Sequence, residues 1–152
     1  MDKGWMMVSE GKEQLSNLIA SNRISERFGL TLSKQDAELI LEERKNVLQE
    51  QRRVEFGEGI IPKIIYEFCD SGYIDQDNYR DTLIRLQEIF YLYKNETRDR
   101  LTDEELLHLM KEQFEYQCFG DLDELADTYL MQAAGAIRAG VPYDRLIQRS
   151  DI

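Results

Sequence analysis

The most constraining stretch of the chain is residues 79–97, YRDTLIRLQEIFYLYKNET. Tyr79, Leu83, Leu86, Phe90, Tyr93 and Thr97 recur at steps of three and four, and Thr82 and Ile89 widen the same stripe. Residues at that spacing share one face of an α-helix. Ile84, Tyr91 and Leu92 point away from the stripe, so the second half of this helix is apolar on nearly every side. A helix that is apolar on two sides is one buried between neighbours. The stretch therefore predicts a central helix with others packed around it. The expected fold class is all-α, a single domain of about six helices forming an irregular helical bundle.

The remaining helices announce themselves by caps and stripes. Residues 1–8 are expected to be a flexible N-terminal arm carrying Trp5, and residues 9–152 the single helical domain. Ser9 can cap a first helix through Leu15, Leu18 and Ile19, and a short turn through Ile24 and Phe28 then ends at Gly29. Ser33 with Asp36 starts a second helix, whose buried stripe is Ala37, Ile40, Leu41, Val47 and Leu48. A third begins near Ile60, with Pro62 in its first turn and a stripe of Ile61, Ile64, Ile65 and Phe68. Asp75 is expected to cap the central helix. Thr102 and Glu105 form a capping box for a fifth helix, and Asp121 with Glu124 imitates one for a sixth running to Ile137. Pro142 opens a final short helix.

Charge narrows the partners. The chain has 152 residues with 30 acidic against 19 basic, a net −11. Such a surface repels nucleic-acid backbones and anionic lipid, so neither is an expected partner. No stretch approaches the roughly 18 apolar residues of a membrane span. The early apolar run at residues 5–8 is too short for a secretory signal. Cys69 and Cys118 are far apart and belong to no C-x-x-C, which fits reduced, packed thiols in the cytoplasm.

The familiar chemical motifs fail on inspection. The glycine connection at residues 53–59 lacks the Lys-Ser/Thr of a phosphate loop, follows a helix and carries two glutamates. Residues 67–78 echo a calcium loop, but Glu67, Cys69 and Asn78 occupy its first, third and twelfth positions, and Asn78 cannot bind bidentately. His108 is the one histidine, sits opposite Met110 on the helical wheel and is expected to face solvent. No zinc set, triad or Glu-x-x-His pair is present. No metal, cofactor or catalytic residue is expected, and the enzyme reading is the weaker one.

Several strings are familiar as a set. They are residues 27–33 followed by Asp36 and Ala37, residues 53–59, residues 68–71 with Tyr73, residues 89–91 with 94–97, and residues 101–106. Over about residues 23 to 122 the chain resembles a bacterial domain-of-unknown-function family found chiefly in Gram-positive anaerobes. The resemblance implies a bacterial cytoplasmic helical protein. It brings no activity, cofactor or site residues.

The most unusual polar placement is Arg44, four residues after Ile40 and four before Leu48, inside the buried stripe. A buried charge costs several kcal/mol unless paired. The candidate ligand-binding residues are Arg44, Glu96 at the edge of the central stripe, and Glu55 on the glycine connection. Arg44 and Glu96 would make either a fold-specifying buried ion pair or a site where Arg44 holds a small anion or a partner's carboxylate. The leading functional expectation is a protein-binding or regulatory module whose partner is another protein or a second copy in a homodimer. Its motivating features are the aromatics at residues 91–93, the Trp5 arm and the thin surface at residues 133–136. The alternative is a ligand-binding protein or enzyme with an anion site around Arg44.

Overall fold

The computed structural model describes residues 3–55, 57 and 59–147, and side chains from residue 11 onward. Every regular element among the described residues is helical. The elements are α1 (Lys3–Ala20), α2 (Asn22–Ser25) with a 3-10 turn (Glu26–Phe28), α3 (Lys34–Glu50), α4 (Ile61–Phe68), α5 (Tyr79–Glu96), α6 (Asp103–Tyr116), α7 (Leu122–Glu124), a π-helical turn (Leu125–Tyr129), α8 (Leu130–Arg138) and α9 (Tyr143–Leu146). The fold is all-α, as the periodicity requires. The chain groups into two compact units, Met1–Gln87 and Glu88–Ile152, and the division falls inside α5.

In the first unit, α1 packs on α3 and α4, and α2 on α4. Its core is mostly aliphatic, with Phe68 and Tyr79 as aromatic members. Ile40, Ile64, Ile65, Phe68, Leu83 and Leu86 are fully buried. Each such side chain contributes about 1.5–3 kcal/mol relative to exposure. The caps that frame it are local. Ser33 Oγ accepts from the Asp36 amide at 3.0 Å, and the Asp36 carboxylate accepts from the Ser33 amide at 3.3 Å. Asp75 and Asn78 exchange a similar pair of bonds, each 3.0 Å, immediately before α5. The backbone of α1 is helical from Lys3, ahead of the expected start at Ser9. The side chain of Trp5, and Met1 and Asp2 altogether, lie outside the described residues.

In the second unit, Phe90, Tyr91, Leu106, Met110, Phe114 and Leu125 are buried. Thr102 and Glu105 make the expected reciprocal cap of α6. The expected sixth helix runs without a break from Leu122 to Arg138, with a π-helical turn between α7 and α8. A π turn shifts the backbone ladder by one residue and leaves carbonyls for other donors. Tyr93 donates its hydroxyl to the Ala126 carbonyl, and Gln113 Nε2 donates to the Tyr129 carbonyl at 3.4 Å. Two side chains thus take up carbonyls of the irregular turn.

Candidate functional site

Helix α3 sets the position of Arg44. Its stripe buries Ala37, Ile40 and Val47, and Arg44 falls in register with them at 6% exposure. An extended aliphatic stem alone would let the guanidinium reach water. Here the head is covered by the connection after α3. Gly59 adopts φ +75°, and a β-carbon there would lie 2.6 Å from Arg44 Nε and 3.0 Å from Cζ. Only a glycine combines that left-handed backbone with so close an approach to the guanidinium. Arg44 Nη2 donates to the Glu55 carbonyl at 3.2 Å. Arg44 Nε is buried and has no acceptor among the described residues.

The same connection is tied to α1. Gln14 Nε2 donates to the Gly57 carbonyl at 2.7 Å. Arg52, with φ 57°, turns the chain out of α3, and the Arg53 amide closes the helix end on the Leu48 carbonyl at 2.9 Å. The result is a cleft of about 560 Å³ between α1 and α3, walled by Lys12, Gln14, Leu15, Leu41, Arg44 and Glu55. Glu38, Glu42 and Lys45 of α3 also line it. A second, shallower groove of about 460 Å³ shares Lys12 and Leu15 with this cleft and continues over Ile19 and Leu32.

Of the three residues expected to form a site, the structure brings Arg44 and Glu55 together, through the Glu55 backbone carbonyl. Glu96 belongs to the second unit and is exposed. Its carboxylate and its carbonyl both receive Arg138 Nη1, at 3.5 and 2.8 Å. The buried ion pair expected of Glu96 is therefore replaced by a surface contact with Arg138. Helical periodicity placed Glu96 at the edge of a stripe, and the edge here faces solvent. The features that suggested a docking face are largely inside the second unit: Tyr91, Tyr93, Ala133 and Ala134 are buried. His108 is half-buried rather than solvent-facing.

Among the described residues, Tyr79 and Cys118 carry the largest shifts in acidity. Burial pushes the Tyr79 hydroxyl up to about 12, with Ser25 opposing the shift and Cys69 adding to it. Burial pushes the Cys118 thiol up to about 11, and Glu124 and Asp121 add to the effect. Both groups are protonated near neutrality, and a thiol so held is a poor nucleophile. Among the described residues no group of three or more His, Cys, Asp or Glu side chains could hold a metal ion. No described helix is long and apolar enough to cross a membrane.

The positions that sequence reasoning missed are those that line the cleft beside Arg44. Lys12, Gln14 and Leu15 come from α1, and no motif marks them. Glu38, Leu41, Glu42 and Lys45 follow from α3 once α1 is known to lie beside it.

Residues 17–143 match the model of a family of unknown function, DUF6323. No curated protein and no solved structure matches the chain.

Proposed function

We infer that this chain, which belongs to the family of unknown function DUF6323, is a ligand-binding module whose site is the cleft around Arg44. The observation that carries this reading is the state of Arg44. Its side chain is buried, its Nε has no acceptor among the described residues, and the acceptor that its Nη2 finds among them is a neutral carbonyl. Burying a cation without a carboxylate partner is unfavourable for folding alone. It is understandable where the missing acceptor is brought by a ligand, because a charge-assisted bond to a carboxylate is roughly twice as strong as a neutral one. The cleft is in the size range of small-molecule sites, about 300–1,000 Å³.

Glu55 supports the site by holding Arg44 through its backbone. Glu96, which meets Arg138 in the second unit, is not assigned to it. A binding or regulatory role follows, in a bacterial cytoplasm, where the buried thiols of Cys69 and Cys118 would stay reduced. The protein-partner reading loses support, because the aromatic cluster and Ala133–Ala134 lie in the core of the second unit.

The test is a thermal-unfolding titration with hexanoate as a simple carboxylate. A ligand bound only by the native state stabilises by about 2.7 kcal/mol at a hundredfold excess over Kd. The expected result is a saturable rise in Tm for the native chain and none for Arg44→Met. Equal responses from both proteins would remove Arg44 from the site.

A further inference from the structure

Resting on that reading of Arg44, we propose that the ligand of the cleft is a zwitterion, with a carboxylate at one end of an apolar chain and an ammonium at the other. The lining carries both signs of charge. Lys12, Arg44 and Lys45 supply cations, and Glu38, Glu42 and Glu55 supply carboxylates. Lys12, Glu38, Glu42 and Lys45 form no ion pair with one another among the described residues. A simple anion entering this cleft would meet Glu38 and Glu42 at the rim as well as the cations Lys12, Lys45 and Arg44. A simple cation would meet the same mixture.

The charges also differ in depth, with Arg44 buried and Lys12, Lys45, Glu38 and Glu42 all exposed. Arg44 lies in the buried stripe of α3, while Glu38 and Glu42 are exposed positions of the same helix. Glu38 and Arg44 are six positions apart in the sequence. At 1.5 Å per residue that is about 9 Å along the helix axis. Leu15 and Leu41, both half-buried, also line the cleft and give the middle of a ligand an apolar surface. A ligand matched to this arrangement sets its carboxylate against the deep guanidinium, its methylenes along the leucines and its ammonium at the outer glutamates. An ω-amino carboxylate has that form, whereas an α-amino acid holds its two charges too close together.

Isothermal titration calorimetry on the full chain distinguishes the cases, using 6-aminohexanoate, hexanoate, hexylamine and glycine as probes. The proteins are the native chain, Arg44→Met, and the double variant Glu38→Gln with Glu42→Gln. Those glutamines replace exposed helical side chains and leave the core untouched. The expected result is that 6-aminohexanoate binds roughly fivefold or more tightly than hexanoate, the gain of one half-screened ion pair. Hexylamine and glycine are weaker still, and the double variant erases the preference. Hexanoate binding as tightly as 6-aminohexanoate, with both requiring Arg44, overturns the zwitterion and leaves the anion site standing. A preference that survives the double variant overturns the assignment of the ammonium to Glu38 and Glu42. Failure of every probe to bind in an Arg44-dependent way overturns both readings.

Discussion

A β-carbon on Gly59 would stand 2.6 Å from Nε of Arg44, so any other residue at position 59 would require the guanidinium to move. This one contact explains how a cation comes to lie in the apolar stripe of α3 with its head covered. It also couples the connection after α3 to the helix itself. Gly59→Ala would meet two penalties, a left-handed φ of +75° and an overpacked guanidinium. The first costs about 1 kcal/mol and the second about 1–3 kcal/mol. We expect a loss of about 2–4 kcal/mol in urea unfolding. Combined with Arg44→Ala, the same change should cost only the backbone part. Strictly additive losses would mean that the contact carries no energy.

Arg44→Met separates folding from binding. The native residue leaves Nε without an acceptor among the described residues and gives one bond to a neutral carbonyl. Replacing a poorly satisfied buried charge by an apolar side chain of similar length is often neutral or stabilising. The expected outcome is a cooperative fold within about 1 kcal/mol of the native chain. A loss of several kcal/mol would show that Arg44 is chiefly a structural residue.

The π-helical turn of the second unit depends on Tyr93. Its hydroxyl donates to the Ala126 carbonyl, and both residues are buried. Tyr93→Phe leaves that carbonyl without its donor, at a cost of about 1–3 kcal/mol. Hydrogen exchange should show the lost protection concentrated in residues 125–138. Protection unchanged there would assign the stability of the turn to its apolar packing alone.

Alkaline pH should weaken the fold. Tyr79 titrates near 10.0 when unfolded and about 12 in the fold, and Cys118 moves from 9.0 to about 11. In both cases the native state holds the proton more tightly. The contribution is complete below the unfolded values and is lost as pH rises through the folded ones. Denaturant midpoints should therefore fall steadily between about pH 9 and pH 12. Cys118→Ala should flatten the part of that fall between 9.0 and about 11. A flat profile across that range would contradict the burial of both groups.

What could be read in the sequence was what local chemistry determines. The caps at Ser33, Thr102 and Asp121 all form, because each satisfies an amide within three residues. The two-sided burial of α5 follows from its composition, and Tyr91 is buried as that composition demands. Arg44 stood out for the same reason, as a charge in an apolar register. Its partner did not. Glu96 shares a helical stripe but meets Arg138, a pairing set by tertiary geometry. The π turn was hidden because residues 122–137 keep a good helical period, and the shift is stabilised by Tyr93 and Gln113 from other elements. The cleft itself joins α1 to α3, and only packing can do that.

The most direct test of the site watches the guanidinium itself. Arg44 Nε–H is buried against Gly59, so its exchange with water should be slow enough for it to be seen in a two-dimensional nitrogen–proton spectrum. The resonance is assigned by its absence from Arg44→Met and followed during titration with hexanoate. A ligand site in the cleft predicts that this resonance moves saturably, together with amides of α1 and α3 at residues 11–15 and 38–45. An Arg44 signal that stays fixed while resonances elsewhere shift would contradict it.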